Sequence, residues 1–419
     1  MKLRQSILIM AACVGTAFQL ASCSEELGDS IFDTHQYPLN QSAYTFPLDT
    51  FVKVNFLEPY NMRFIYKMEY ISSDKEKNLT PASYENSCKL AVLTKYLWYD
   101  SYKNMANEHD VFLKKYSPRI IHVIGSKNLN TSSGTETLGV TEGGTKVTLY
   151  RVNLLNPADI DNLNEYFFQT MHHEFGHILD NTKLHPTPFN LLSNGLYNSA
   201  GWSDTPDSVA ASQGFVSPYA SSSYTEDWVE TLARYLTRDS ITLAKIYHSA
   251  EYEWETVDLA DKDGDGSVTT KDYSTMLKGI VDIDTIGYLK EDQSGKGEHK
   301  VYRRVCTRDN NDFLVLGDDG KPQWKANGIG ARQVLETKLQ YVREYMQSQF
   351  GINIDQLRAE IQAKQFRKGS DGKFLEESYY SELTHRTEKR LLNALIYKDP
   401  VSGKSTMDVL LEELEKYKK

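Results

Sequence analysis

Residues 173 to 177 read His-Glu-Phe-Gly-His, so His173 and His177 lie four positions apart, with Glu174 directly after the first. On a helix such a spacing places both imidazoles on one face, where they could bind a single zinc ion at about 2.0–2.1 Å. Bound zinc lowers the pKa of a water ligand, and Glu174 could take that proton and return it to a leaving amine. The pattern therefore predicts zinc-dependent hydrolysis; the alternative is two surface histidines on an ordinary helix.

A catalytic zinc ion also needs a third protein ligand and one open position. The metzincin solution, a histidine six residues after the second, is excluded because position 183 is lysine. The later segment Glu226-Asp227-Trp228-Val229-Glu230 supplies acidic residues instead. We expect Glu226 to bind zinc, with Asp227 as the second choice, and Glu230 to accept the N–H of a ligand histidine. The alternative is structural, because Ser223 and Glu226 also have the spacing of a helix capping box.

Three further side chains near these motifs could contribute. Tyr219 precedes Glu226 by seven residues, and its phenol could donate to a developing oxyanion, although an ordinary core or surface tyrosine is the alternative. Asp180 lies on the ligand face of the helix, where we expect it to support the ligands or close the helix end rather than bind zinc. His172 lies about 100° around the helix from His173, so it should not share the metal.

The order of these residues resembles a known group. His-Glu-Phe-Gly-His, then Tyr219, then Glu226 with Glu230, is similar to the arrangement in anthrax lethal factor and the Pro-Pro endopeptidases, which are gluzincin-type zinc peptidases. The resemblance covers roughly residues 165–236. It implies a zincin-like fold and peptide hydrolysis, with His173, His177 and Glu226 as zinc ligands.

The elements that must position the site can be read from hydrophobic spacing. The sequence predicts strands at 61–68 and 119–124, a hairpin within 135–154 around Glu142-Gly143-Gly144, and helices at 84–108, 159–180 and 225–237. Residues 183–224 read as a long loop. The edge of the hairpin near 136–153 could hold an extended peptide by strand addition. Further on, strands are expected near 300–307 and 312–316, and helices at 331–349, 353–366, 376–397 and 405–418.

The N-terminus has the features of an export signal. Lys2 and Arg4 precede an apolar stretch, and Leu20-Ala21-Ser22-Cys23 resembles the bacterial lipobox, in which the cysteine is lipidated after cleavage. A plain signal peptide is the alternative. The lipobox together with the zinc motif resembles zinc metallohydrolase lipoproteins encoded beside outer-membrane importers of the TonB-dependent kind. That likeness implies an outer-membrane lipoprotein, at the cell surface or facing the periplasm, with an importer complex as a partner in nutrient capture.

A second metal site is expected between residues 261 and 272. Their spacing is that of an EF-hand calcium loop, with a glycine at the sixth position and aspartate rather than glutamate at the twelfth. An exposed acidic turn is the alternative. The expected calcium ligands are Asp261, Asp263, Asp265, Ser267 and Asp272.

Composition narrows the function classes. The 419 residues are 40% hydrophobic and 25% charged, as in ordinary globular proteins, and the net charge of -10 argues against nucleic acid as a partner. No thiolate motif for a metal is present, so Cys88 and Cys306 are expected to be free thiols, with a disulfide as the alternative. Trp98, Trp202, Trp228 and Trp254 could line a carbohydrate groove, but scattered aromatic residues usually belong to a core.

These inferences define an α+β protein with a zincin-like metallopeptidase domain. The expected regions are a signal peptide (1–22), a tether after lipidated Cys23 (23–49), the catalytic domain (50–245), a calcium-loop segment (246–300) and a hairpin plus helical C-terminal region (301–419). The expected activity is zinc-dependent hydrolysis of a peptide or protein substrate. The alternatives are a binding lipoprotein for an importer with a vestigial or structural zinc site, and a zinc hydrolase acting on other amides, such as those of peptidoglycan.

Overall fold

The computed structural model describes residues 43–68, 77–105, 111–129, 136–142, 145–258, 300–381 and 386–418. The signal peptide, Cys23, most of the expected tether and the calcium loop at 261–272 lie outside the described residues. The longer helices are α1 (Phe46–Val52), α2 (Tyr84–Leu93), α3 (Asp100–Met105), α4 (Val111–Tyr116), α5 (Ile160–Leu163), α6 (Gln169–Thr182), α7 (Thr187–Leu191), α8 (Asp207–Ser212), α9 (Tyr224–Thr237), α10 (Ser240–Ser249), α11 (Ala331–Phe350), α12 (Ile354–Gln365) and α13 (Thr406–Glu415).

One four-stranded sheet lies beside the predicted zinc helix. Its strand order is β1 (Arg63–Ile65), β2 (Ile120–Val123), β6 (Lys146–Leu149) and β5 (Gly139–Glu142). The first three strands run parallel, and β5 pairs antiparallel with β6 in the register Thr141 to Val147. The predicted hairpin is therefore confirmed, and β5 is an edge strand of this sheet in the described part of the chain.

The helix that carries the His-Glu-Phe-Gly-His motif is continuous from residue 160 to 182. It begins at α5, where the N-cap Asp159 accepts a hydrogen bond from the backbone of Asn162 at 3.0 Å, and passes through a π-helical stretch at Asn164–Phe168 into α6. Met171, Phe175 and Leu179 of α6 are buried in the main apolar core. This burial fixes the rotation of α6, so its opposite side carries the predicted ligands.

Helix α9 packs along α6 and brings the second motif to the first. Its N-cap is Ser223, whose hydroxyl oxygen accepts the backbone N–H of Glu226 at 3.2 Å. The two helices approach closely at Gly176, where an added Cβ would lie 3.0 Å from Val229 Cγ1 and 3.1 Å from Val229 Cβ. Only a residue without a side chain fits this contact without displacement of its neighbour.

The apolar core does not divide at the boundaries expected from the sequence. Leu339 and Val342 of α11 and Leu357 of α12 belong to the same buried cluster as Phe175 of the zinc helix. At the other end of the chain, Leu48 is fully buried, so the last residues of the expected tether belong to the folded unit. The C-terminal helices and the predicted catalytic domain thus share one core.

Two stretches differ from the secondary structure predicted for them. The helix expected at 376–397 is wrong: β9 (Glu376–Ser381) and β10 (Arg386–Leu391) form an antiparallel hairpin. Its opposite charges pair across the strands, as in Lys389 with Glu376 at 3.1 Å. The strand at β8 (Lys300–Arg304) is present, but its ladder partner is β7 (Trp254–Asp258). Residues 312–316 contribute only two isolated bridges, Leu314 with Arg308 and Leu316 with Pro322.

Other features follow the expectations more closely. The predicted loop 183–224 contains the short helices α7 and α8 between turns. A small hairpin joins β3 (Asn128–Leu129) and β4 (Glu136–Thr137). Cys88 and Cys306 are free thiols. Within the described residues, no helix combines the length and the apolar character needed to cross a membrane.

Candidate metal centre

The three expected zinc ligands meet between helices α6 and α9. His173 Nε2 and His177 Nε2 lie 3.2 Å apart, and Glu226 Oε2 lies 3.1 Å from the first and 3.3 Å from the second. Ligand atoms around a tetrahedral zinc ion are separated by about 3.3 Å, so this triangle fits three corners of such a site. Within the described residues these three side chains are the one group whose potential ligand atoms converge in this way.

The protonation of His173 supports the fit to a cation. Its Nδ1 lies 2.8 Å from Glu230 Oε1, and because a carboxylate only accepts, Nδ1 carries the proton of the neutral ring. In the metal-free protein a second proton, on Nε2, bonds to Glu226 Oε2 at 3.1 Å, and loss of that proton would free the Nε2 lone pair to ligate a metal. Electron-pair donors that face one another at this distance are stabilised by a cation between them.

The charges of the site lead to the same conclusion. Burial lowers the pKa of His173, but hydrogen bonds with Glu226 and Glu230 outweigh it and raise this pKa to about 10. Burial raises the pKa of Glu226, but hydrogen bonds with His173 and His177 outweigh it and lower this pKa to about 2. Both shifts show that the carboxylates attract positive charge to the centre of the triangle.

Glu230 lies behind His173 as the sequence suggested, and it is held on several sides. Its Oε2 accepts hydrogen bonds from Ser217 Oγ at 2.7 Å and from Arg234 Nε at 2.8 Å, while Gln169 Nε2 approaches Oε1 at 3.4 Å. The side chain of Glu230 is buried, and these contacts fix its orientation. A fixed carboxylate in turn fixes the rotation of the His173 ring.

Glu174 is directed from α6 towards the edge of the sheet. Its side chain is buried, and an added Cβ on Gly139, at the start of β5, would lie 3.5 Å from Glu174 Oε1. The same Cβ would lie only 2.2 Å from Thr170 Cγ2, so β5 approaches α6 as closely as a glycine allows. Glu174 therefore shares a helix with both candidate histidine ligands and lies against the start of the edge strand.

Tyr219 lies beside the candidate ligand His173. Its ring centroid is 5.8 Å from that of His173 and 4.8 Å from that of Trp202, and 36% of the residue is exposed. Burial, followed by the negative charges of Glu226, Glu230 and Glu174, raises the pKa of the phenol. Tyr219 is thus a neutral hydrogen-bond donor at the solvent-facing side of the triangle.

Comparison with known proteins identifies the family. Residues 41–355, about three quarters of the sequence, match the protein family described as "Putative zinc-binding metallo-peptidase". The chain belongs to this family. No curated protein matches the sequence. Among solved structures, it is similar to a crystal structure described in the same words, from Bacteroides caccae, with 26% identity over 75% of this chain and 90% of that chain and a TM-score of 0.48.

Membership in this zinc-binding metallopeptidase family confirms the coarser predictions. The chain belongs to a family of zinc metallopeptidases, and its fold combines helices with a sheet. The matched residues contain the whole triangle and both helices that form it.

In this family member Asp227 does not join the candidate ligands, whereas Asp180 closes the helix end as expected. Asp227, the second choice as ligand, points away from the triangle and forms an ion pair with Lys338 at 2.6 Å, in which both side chains are fully buried. Burial raises the pKa of Asp227 to about 6. Asp180 closes the end of α6, because its Oδ1 accepts the backbone N–H of His185 at 2.7 Å and lies 2.9 Å from the ring Nδ1.

His172 and the capping residue also have defined places. His172 is buried with its Nδ1 3.0 Å from the hydroxyl oxygen of Tyr102, and burial lowers its pKa to about 3. It is therefore a neutral core residue, not a surface one. Ser223 caps α9, but the side chain of Glu226 turns towards the histidines, so Glu226 combines a position in the first turn of α9 with its place in the triangle.

Sequence reasoning missed the supports of Glu230 and the counter-charge of Asp227. Ser217 and Arg234 are common residue types, and only Arg234, four positions after Glu230 on a helix, carried a signal that could have been used. Lys338 looked like an ordinary solvated lysine in a charged helix. Nothing local in the sequence distinguishes it from its exposed neighbours.

Proposed function

We propose that this protein is a gluzincin-type zinc peptidase in which His173, His177 and Glu226 hold the metal. The observation that carries the proposal is the convergence of their three ligand atoms, within 3.1–3.3 Å of one another, in a member of a zinc-binding metallopeptidase family. Bound zinc would supply a Lewis acid that activates water and polarises the scissile carbonyl.

The protein groups around the metal have complementary tasks. Glu174, on the side of the edge strand, would accept a proton from water and deliver it to the leaving amine. Tyr219, kept neutral by its raised pKa, would donate a hydrogen bond to the developing oxyanion. Glu230 would hold His173 with its Nε2 free to ligate.

Strand β5 provides a place for an extended substrate. It is one of the two edge strands of this sheet within the described residues, and its first residue, Gly139, lies against Glu174. A peptide added to this edge would bind through backbone hydrogen bonds, and its carbonyl groups would lie near the candidate zinc ligands. This mode accepts many sequences, because the edge strand contacts only the backbone of the peptide.

The proposal can be tested by metal content and by two matched variants. The purified soluble chain should contain about one zinc ion per molecule by mass spectrometry, and Glu226→Ala should weaken that binding strongly. Glu174→Gln should keep zinc but reduce peptide hydrolysis by about 10²–10⁴-fold. The control is Glu165→Gln on the same helical stretch, whose side chain is 47% exposed and which should change neither quantity.

The outcomes separate the alternatives. A wild-type protein that takes up no zinc when the metal is offered would rule out the enzyme. Zinc binding without hydrolysis of a peptide library would instead favour a binding lipoprotein. Removal of zinc with a chelator would then leave the affinity of the protein for its ligand unchanged. Hydrolysis of peptidoglycan fragments alone would assign a different amide substrate.

We also propose that Cys23 is lipidated and anchors the protein in the outer membrane, next to an importer for the released products. The support is the lipobox at Leu20-Ala21-Ser22-Cys23. Labelling of cells with a fatty-acid analogue should mark the wild-type protein and not Cys23→Ser. Co-purification of an outer-membrane importer with the wild type only would support the partnership.

The spacing of Asp261, Asp263, Asp265, Ser267 and Asp272 supports a separate proposal of one structural calcium ion. Asp261→Ala should remove calcium binding measured by calorimetry while zinc content stays the same. Unchanged calcium binding in this variant would contradict the site.

A further inference from the structure

Trp202 differs from the other tryptophans of the chain in its surroundings. Trp98 and Trp228 are buried in the core. Trp254 donates its indole N–H to the Ser249 carbonyl at 2.9 Å, and Trp324 packs on the guanidinium of Arg304. Trp202 is half-buried, and its one ring contact within the described residues is Tyr219. Trp202 and Tyr219 together place two adjoining aromatic rings at the surface beside a candidate metal ligand.

Backbone hydrogen bonds hold Trp202 beside the candidate metal centre. The N–H of Asn198 donates to the Ser221 carbonyl at 2.7 Å, which ties this part of the 183–224 segment to the turn that carries Tyr219. The Asn198 side chain accepts the N–H of Gly201 at 2.9 Å, and the Thr205 N–H donates to the Trp202 carbonyl at 3.1 Å. The position of Trp202 is therefore set by the turn itself.

The three rings form a continuous series that leads away from the metal ligands. His173 and Tyr219 lie 5.8 Å apart, and Tyr219 and Trp202 lie 4.8 Å apart with their planes at 70°. In an edge-to-face pair, the ring that presents its edge keeps both faces uncovered by its neighbour. An aromatic surface is thus available next to the candidate metal ligands.

We propose that Trp202 and Tyr219 form a subsite that binds a large apolar side chain, aromatic or long aliphatic, of a peptide substrate. This inference rests on the proposed peptidase function. A peptide on the backbone-binding edge of β5 would gain little sequence selectivity there, so selectivity must come from side-chain contacts elsewhere. An aromatic pair with its orientation fixed by backbone hydrogen bonds supplies such a contact at low entropic cost.

The test compares substrate preference, because a ratio cancels any general loss of activity transmitted through Tyr219. Peptide pairs with Phe or Ala, and with Arg or Ala, at each position flanking the cleaved bond would be assayed with the zinc-loaded wild type, Trp202→Ala and Trp202→Phe. We expect the wild type to prefer Phe over Ala at one position by about 10-fold or more in kcat/KM. Trp202→Ala should bring that ratio close to one, and Trp202→Phe should retain most of it. The control is Leu191→Ala, which removes a 66% exposed apolar side chain of the same loop segment and should leave the ratio unchanged.

The possible failures are distinguishable. Hydrolysis by Trp202→Ala with an unchanged preference for Phe would overturn the subsite and leave the peptidase function intact. A preference for Arg, or for a glycosylated peptide, that disappears in Trp202→Ala would overturn the assignment to apolar side chains. No hydrolysis of any peptide by the zinc-loaded wild type would overturn the peptidase function and the subsite together.

Discussion

The contact between Gly176 and Val229 makes a sharp prediction about zinc affinity. In Gly176→Ala, the new Cβ would meet Val229 Cγ1 at 3.0 Å and Val229 Cβ at 3.1 Å. Since carbon atoms pack at about 3.5–4.0 Å, Val229 and with it helix α9 must shift away from α6 by a few tenths of an ångström. Overpacking costs about 1–3 kcal/mol, and replacing a helical glycine returns about 1 kcal/mol, so we expect a net loss of about 0–2 kcal/mol in unfolding free energy.

Zinc binding should suffer more than folding. Glu226 lies one helical turn before Val229, whereas both histidines belong to the helix of Gly176, so separation of the helices stretches the triangle. Ligand distances are tolerated within about 0.2 Å, and we expect the zinc Kd to rise by about tenfold or more. Competition with a chelating dye measures the Kd, and thermal unfolding of the metal-free protein measures the stability.

A second variant distinguishes the mechanism. In Gly176→Ala combined with Val229→Gly, the nearest remaining contact of the new methyl group is the Cα of position 229 at 3.6 Å, an ordinary van der Waals distance. Zinc affinity should recover in this double variant, although its stability should fall because a helix now contains glycine at position 229. Wild-type affinity in Gly176→Ala alone, or no recovery in the double variant, would refute the argument that helix separation sets the affinity.

Three other predictions follow from the same contacts. Glu230→Gln should weaken zinc binding by about 10–100-fold in the same dye assay, because an amide holds the His173 ring less firmly than a carboxylate; an unchanged Kd would show that Glu230 does not orient the ring. Lys338→Met should lower the unfolding free energy by about 3–5 kcal/mol in denaturant, because Asp227 stays buried without its counter-charge. Adding Asp227→Asn should recover part of that loss, and an equal loss in the single and the double variant would contradict the role of the ion pair. Because the pKa of metal-free His173 is raised from 6.5 to about 10, its contribution to stability is present below pH 6.5 and is lost as the pH rises through about 10. Zinc must displace this proton, so calorimetry in buffers of different ionisation enthalpy should show proton release near pH 7.5, and no release would contradict the raised pKa.

The parts of the site that the sequence predicted are those with a local cause. The helical spacing of His173 and His177, and the helix start at Ser223, depend only on nearby residues and place each ligand on its own helix. The meeting of Glu226 with the two histidines was expected from the chemistry of zinc rather than from the pattern itself. The hairpin of β5 and β6 was likewise marked by β-forming runs on either side of a glycine turn.

The parts that the sequence did not predict depend on distant partners. The hydrogen bond from Ser217 to Glu230 and the ion pair of Asp227 with Lys338 join residues whose types alone are unremarkable. The hairpin at 376–391 was taken for a helix because charges of both signs recur in both kinds of element, and the pairing Glu377 with Arg390 is visible only across two strands. Trp202 could not be distinguished from core tryptophans, since its exposure follows from the turn around it.

The ion pair between Asp227 and Lys338 also bears on how the protein is made. During synthesis, Asp227 is added to the chain about 110 residues before Lys338, its counter-charge. Asp227 lies in the same helix as Glu226. Until then the growing chain must leave this carboxylate in water or protonated, so we expect α9 to pack less firmly against α6 than in the complete chain. A fragment that ends before α11 therefore contains the full His-Glu-Phe-Gly-His motif but lacks Lys338, which neutralises the buried Asp227 next to Glu226.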